Sequence, residues 1–538
     1  MASSHDIQQY VARAAQAFTS GNADTALQHA NQALAGDPHL VGALYIKALA
    51  QRILGDPGAA KQALETALSV NQNAAEIHNV LGLCEQDLGQ DKAAQNAFET
   101  AERLDPGFLH APFNLARLLF DAGERRAAAQ AYERALSIDP NHVDSLRGLA
   151  HALNVLRDFE RAEAVADQAL ALMPSDAVAL SVKGGAMLRA GNADGAVALI
   201  RGQLKPQEGG AMNVSLALGV LGEAYDQLGA YTDALKAWGF GNERLRQNVE
   251  AHYENSEAPY SLTVAQRLAT AYGRATQTID SSSDGPSPVF LVGFPRSGTT
   301  LLENVLAAHP AIQTSEEQPH AEGIVLAAGA SEDSIAELLA KDGTELEALR
   351  RQYWQSACPD GPPIDGQVFI DKLPLNLNWI GVLAHVFPGA KFILALRDPR
   401  DCVLSSFQQR FVMNPSMYRM LRMDDAARYY DAAFSAAEAA RRALPGLAVH
   451  EVRYEDVVAD LEAEARKAIA FLGLNWDGAV MDYRDTAKTR AINTPSAPQV
   501  DQPIYTQSVD RWRQYAFVFE GEVAAILAPW IKRWGYDA

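Results

Sequence analysis

Cysteine is scarce. Cys84, Cys358 and Cys402 are the only three among 538 residues, and no two form a Cys-x-x-Cys pair. An odd number, so widely spread, supports neither a disulfide framework nor a zinc ribbon, and no metal site is expected. Positive charge is also short: Lys and Arg number 46 against 66 Asp and Glu, for a net charge of −20. A general nucleic-acid binder needs a basic footprint, so nucleic acid and anionic membranes are disfavoured as partners. A small anion is not excluded, because net charge says nothing about one pocket. No apolar run approaches the ~20 residues that cross a bilayer. Met1–Tyr10 lacks the basic and then apolar regions of a secretory signal. The expectation is a soluble, cytoplasmic protein with no membrane attachment.

What the first half has in quantity is alanine at a fixed period. Ala26, Ala60, Ala94, Ala128, Ala162 and Ala196 stand 34 residues apart. A second series runs through Ala33, Ala67, Ala101, Ala135 and Ala169, and a third through Ala14, Ala48, Gly82, Ala116, Ala150 and Gly184. Gly21, Gly55, Gly89, Gly123 and Gly191 keep the same register, with Arg157 as the exception. Pro38, Pro106, Pro140 and Pro174 do likewise, with Gln72 in the place of one. Small residues let two helices approach closely, glycine supplies the turn between them, and proline ends the second. The pattern resembles the tetratricopeptide repeat, with units starting near Ile7, Val41, Ala75, Leu109, Val143 and Ala177. A weaker seventh unit is marked by Gly222, Tyr225, Gly229 and Ala234. Such a solenoid offers a concave face to a peptide or protein and carries no chemistry of its own.

The period fades near Asn248. The domain reading is a solenoid over 1–250, a helical cap and linker over 251–287, and a second domain over 288–538. That second domain opens with Val289–Val292, a short apolar run suited to a buried parallel strand. Gly293-Phe-Pro-Arg-Ser-Gly-Thr-Thr300 follows as a turn, then Leu301–Ala308 with helical spacing. A strand, a glycine turn and a helix start make an anion cradle, since backbone N–H groups and the helix dipole both face the loop. The spacing of Gly293 and Gly298 is that of a P-loop, yet Thr299 stands where a nucleotidase has lysine, and the positive charge lies inside the loop at Arg296. Kinase chemistry is thereby weakened. A second apolar run, Lys391–Leu396, delivers Arg397 and, eight residues on, Ser405. At the carboxyl end of a parallel strand these two could share one phosphate.

Those residues carry a resemblance. Phe294-Pro-Arg-Ser-Gly-Thr-Thr300 resembles the 5′-phosphosulfate loop of sulfotransferases that use 3′-phosphoadenosine 5′-phosphosulfate (PAPS), and Arg397…Ser405 resembles their 3′-phosphate motif. Ser315-Glu-Glu317, Asp371-Lys-Leu-Pro374, Phe387-Pro-Gly-Ala-Lys-Phe392 and Val452-Arg-Tyr-Glu-Asp-Val457 are similar in order to segments of protein-tyrosine sulfotransferases. With the repeats, the chain resembles the bacterial tetratricopeptide-repeat sulfotransferases. The resemblance implies an all-α solenoid followed by a three-layer, P-loop-like α/β domain with a central parallel sheet. It implies an enzyme that moves a sulfuryl group from PAPS to an acceptor hydroxyl and releases 3′-phosphoadenosine 5′-phosphate (PAP), a peptide or protein tyrosine being among the acceptors.

The same resemblance implies roles. Arg296, Ser297, Gly298, Thr299 and Thr300 would hold the 5′ end of PAPS, Arg397 and Ser405 its 3′-phosphate, and Tyr454 would lie near the adenine. Glu317 takes the place of the general base, Lys372 that of the lysine on the leaving phosphate, and Ser496 that of a serine on the same oxygen. Gln502 stands where the family has a further lysine. Glu316 and His320 compete with Glu317 as base, and Arg397 could instead pair with Asp398 or Asp401. Cys402 and His309 read as packing residues, as do Trp512, Trp530 and Trp534. No metal is implied, because the transferred group carries less charge than a phosphoryl group. The rival reading is an interaction scaffold whose nucleotide domain is inactive. A homo-oligomer and the acceptor's identity stay open.

Overall fold

The computed structural model describes residues 4–274, 285–341, 343–364, 366–484 and 508–537. The chain divides into two compact units, Met1–Ala224 and Tyr225–Ala538.

In the first unit the helices come in pairs at the expected period. Ser4–Thr19 pairs with Ala23–Gly36, Val41–Ile53 with Pro57–Val70, and the series runs on to Ala177–Arg189 with Ala193–Gln203. Every alanine of the three periodic series is fully buried. Nothing larger fits: a Cβ on Gly82 would stand 2.6 Å from the Phe98 ring. The turn glycines have φ between +71° and +85°, and Arg157 adopts the same left-handed geometry at +64°. A further 34-residue series escapes a reading based on small residues. The side chains of Asp37, Asn71, Asp105 and Asp139 accept hydrogen bonds from the backbone N–H two residues on, closing each second helix with an Asx turn.

The division into compact units falls at Ala224, within helix Ala211–Gln227, rather than at the 250 boundary set from the sequence. Helix Tyr231–Tyr253 belongs to the second unit, as does helix Leu262–Arg274, which the sequence reading placed as a cap on the solenoid. Helix Tyr231–Tyr253 keeps small residues at Ala234 and Gly241, but its other buried side chains pack within the second unit. Trp238 is buried with Leu404, Phe407 and Tyr515, and Asn242 Nδ2 donates to Phe407 O at 3.0 Å. Val264, Leu268 and Tyr272 likewise join the core above the sheet.

That sheet has five parallel strands: β1 (Val289–Gly293), β2 (Ile312–Glu316), β3 (Val368–Lys372), β4 (Lys391–Leu396) and β5 (Ala448–Arg453), in the order β2-β3-β1-β4-β5. Both faces are covered, which explains the continuous apolar runs. Val289, Leu291, Ile370 and Ile393 face helices Thr299–Ala307 and Leu461–Leu472. Phe290, Val292, Phe392 and Leu394 face helices Leu262–Arg274, Ile380–Val386 and Met423–Ala443. The expected three-layer α/β arrangement is what the second unit shows.

Candidate active site

Of the segments singled out in the second half, those assigned site roles within the described residues follow the carboxyl end of a strand or sit there, whereas Phe387–Phe392 leads into the amino end of β4. The anion loop follows β1, Glu317 follows β2, Lys372 ends β3, Arg397 follows β4 and Tyr454 follows β5. Pairing register aligns them: Gly293 is opposite Ala395, Glu316 opposite Lys372, and Leu396 opposite Arg453. Ligands of open parallel sheets bind along this edge.

The loop is shaped by close approach. A Cβ on Gly293 would lie 2.7 Å from Ala395 O, and one on Gly298 would lie 2.6 Å from the Tyr454 ring. Gly298 has φ +95°, which glycine adopts freely. Arg296 has φ +69°, an unusual conformation for a residue with a side chain. Its Nε donates to Ser405 Oγ at 3.0 Å, so the two phosphate motifs touch. Helix Thr299–Ala307 begins directly after Gly298, and its first N–H groups have no partner within the helix. Ser297 Oγ is buried and without a hydrogen-bond partner among the described residues.

Arg397 is only 7% exposed. It donates from Nη1 to Arg296 O at 3.0 Å and from Nη2 to Ser508 O, and its guanidinium carbon lies 5.0 Å from the Tyr454 ring centre. Its Nε is buried with no partner among the described residues. Asp398 is not its counter-ion: it caps helix Pro399–Gln408 and holds Arg400 through two bonds of 3.0 and 2.8 Å. Asp401 Oδ2 stands 3.8 Å from Nη2, a long ion pair, while its Oδ1 accepts from Trp512 N at 2.8 Å. Burial raises the Asp401 carboxyl to about 6. A buried Arg with an unused N–H, next to an anion loop with an unused hydroxyl, fits a ligand bearing phosphates at two places.

Lys372 is fully buried, and its Nζ lies 2.9 Å from Glu317 Oε1, 3.4 Å from Glu303 Oε2 and 3.8 Å from Glu316 Oε1. Glu317 is 39% exposed on a left-handed turn with φ +48°, and its N–H donates to Lys372 O at 2.7 Å. The structure thus brings Glu317 and Lys372 into direct contact. His320, the rival base, is turned away: its ring nitrogens meet Ser315 Oγ at 2.7 Å and Ser356 Oγ at 2.9 Å, and burial lowers its pKa. Sequence reasoning did not single out Glu303. It lies on a helix while its partners Thr314 and Lys372 lie on β2 and β3, and only a helical offset of four residues from Thr299 hinted at its place.

The packing residues are where they were expected. Cys402 is buried, and its thiol is pushed far up by burial. His309 bonds Asn475 O at 2.9 Å and Ala311 N at 3.1 Å, while Trp512, Trp530 and Trp534 are all buried. Ser496 and Gln502 lie outside the described residues. Among those described, no group of three His, Cys, Asp or Glu could hold a metal ion, and no helix is long and apolar enough to cross a membrane.

Asp371 points to the opposite sheet face from Lys372, where the Tyr353 hydroxyl donates to it at 3.0 Å. Burial raises its carboxyl to about 7, with the Tyr353 bond opposing. Because the folded state holds this proton longer than the unfolded chain, the carboxyl's contribution to stability falls as pH rises from about 4 to 7. Asp371→Asn is therefore expected to raise the melting temperature at pH 8, with a gain that shrinks as the pH is lowered to 5. A gain equal at both pH values would show that the buried charge is not its source.

Residues 288–478 match the family model described as Sulfotransferase family. Residues 47–107, 85–143, 113–177 and 147–209 match Tetratricopeptide repeat. The chain carries a sulfotransferase-family domain together with tetratricopeptide repeats, and it is homologous to the protein-tyrosine sulfotransferases. Protein-tyrosine sulfotransferase 1 of Danio rerio is 26% identical over 313 residues, covering 54% of this chain and 84% of that protein. An uncharacterized protein of Aquifex aeolicus (strain VF5) is 28% identical over 236 residues, covering 42% of this chain but only 30% of its own length. A solved tetratricopeptide repeat protein from Parabacteroides merdae ATCC 43184 shares 15% identity with a TM-score of 0.35, covering 45% of this chain and 93% of that one.

Proposed function

We propose that this protein transfers a sulfuryl group from PAPS to an acceptor hydroxyl and releases PAP. The observation that carries the reading is the convergence, on one sheet edge, of an anion loop, a buried Arg with an unused N–H and a buried Lys in contact with a carboxylate. In this reading Arg296, Ser297, Gly298, Thr299 and Thr300 hold the phosphosulfate end, and Arg397 and Ser405 hold the 3′-phosphate. Tyr454 forms one wall of the nucleotide site. Glu317 takes the acceptor's proton as the acceptor oxygen bonds to sulfur. The bond between sulfur and the 5′-phosphate oxygen breaks, and that oxygen leaves with the electron pair. Lys372 faces the growing negative charge, where a fixed cation in a water-poor site acts most strongly. Ser496 would add a hydrogen bond to the same oxygen.

The family match supports PAPS as donor, and the similarity to protein-tyrosine sulfotransferases supports a peptide or protein tyrosine as acceptor. The repeats supply a surface of the kind that holds peptides. Calorimetric titration with PAP and incubation with labelled PAPS against peptides, phenols and sugars test the reading together. Micromolar PAP binding with label transfer to one acceptor class is expected. Absence of PAP binding would overturn the enzyme reading and favour an interaction scaffold.

A further inference from the structure

Among the buried ionisable groups that the mechanism above leaves unused, one lies against Lys372. Glu303 is 1% exposed and sits on helix Thr299–Ala307, one turn beyond the anion loop. Its Oε1 accepts from Thr314 Oγ1 at 2.9 Å, and its Oε2 lies 3.4 Å from Lys372 Nζ. A fully buried ammonium is costly without a carboxylate to balance it. Three carboxylates lie within 4 Å of Lys372 Nζ for that purpose: Glu317, Glu303 and, farthest at 3.8 Å, Glu316. Glu317 is partly exposed on a strained turn and, in the reading above, must be released to act as a base. Glu303 is enclosed and anchored by a hydroxyl from β2.

We propose that Glu303 is a positioning residue for sulfuryl transfer: the helix that starts at the donor loop also carries the fixed counter-ion of Lys372, keeping that lysine aimed at the leaving oxygen while Glu317 exchanges its partner for the acceptor's proton. The inference rests on the sulfuryl-transfer reading and adds a residue to it. Glu303 touches neither donor nor acceptor in this scheme, and its effect passes through Lys372.

The test is Glu303→Gln, which keeps the side chain's shape and its ability to accept from Thr314 but removes the charge. The expected result is a kcat lowered about 5- to 100-fold, within the roughly 2- to 150-fold that coupling between residues in one charged network spans. PAP affinity by calorimetry and the KM for PAPS should stay within about twofold of wild type by the same reasoning, since the loop is untouched. In a Lys372→Met background the same change should leave kcat nearly unaltered. Unchanged kcat in Glu303→Gln, an equal loss in both backgrounds, or a parallel loss of PAP affinity would each overturn the proposal. If Glu303→Gln does not fold, Thr314→Val reads the same link: lower kcat with intact PAP affinity supports it, and unchanged kcat sinks it. A wild-type chain that binds no PAP would overturn the sulfuryl-transfer reading itself, whereas an active wild type matched by Glu303→Gln would overturn only the role of Glu303.

Discussion

Glu317→Ala is expected to leave a protein that binds PAP as tightly as wild type yet turns over about 10²–10⁴-fold more slowly, the usual value of a positioned base. Binding should survive because the carboxylate contacts Lys372 and not the phosphate loop. Lys372 also keeps a buried counter-ion in Glu303 at 3.4 Å, so the site need not collapse. Calorimetry with PAP and label transfer from PAPS measure the two halves of the prediction separately. Turnover within a few-fold of wild type would move the proton acceptor to Glu316, 3.8 Å from the same lysine. His320 is the poorer substitute, since both ring nitrogens already meet serine hydroxyls.

Arg397→Ala should act on the other half of the site. Removing a buried cation from its anionic partner costs roughly 2–4 kcal/mol, which corresponds to a roughly 30- to 1,000-fold loss in PAP affinity. The expected effect is large because this side chain both packs and donates: it lies over the Tyr454 ring, it ties the carbonyl of Arg296 to that of Ser508, and its Nε has no partner among the described residues. Arg397→Lys should recover little, because an ammonium cannot replace a planar fork that is both stacked and shared. PAP affinity unchanged in Arg397→Ala would contradict the 3′-phosphate assignment.

The sequence made the solenoid legible because the same packing constraint is written six times. An alanine with no exposed surface every 34 residues leaves few other structures. Where the repeat ends was harder to read. Helix Tyr231–Tyr253 keeps the turn glycine at Gly229, but Trp238 and Asn242 are spent on the second unit, and nothing local distinguishes that use. In the site, the anion loop and the segment after β4 are contiguous motifs and can be read directly. The contact of Arg296 with Ser405 and that of Lys372 with Glu303 join residues more than sixty positions apart. Such contacts depend on strand order, which a single sequence does not display. Asp371 was seen only as part of a motif; its opposite facing and its raised pKa follow from the two-residue period of β3.

The strand order also separates the two units by the way each must be assembled. Repeat helices pack on neighbours a few dozen residues away at most. In the sheet, the nearest paired strands, β2 and β3, are 56 residues apart at Ile312 and Val368, and β1 pairs β4 across 102 residues at Val289 and Lys391. Closing such long loops before any contact rewards them is slow, while local helix pairing is fast. A growing chain can therefore complete its solenoid early. The surroundings of the anion loop form late, because Arg397 finds the Ser508 carbonyl, and Asp401 the Trp512 amide, only after the residues beyond 507 have been made.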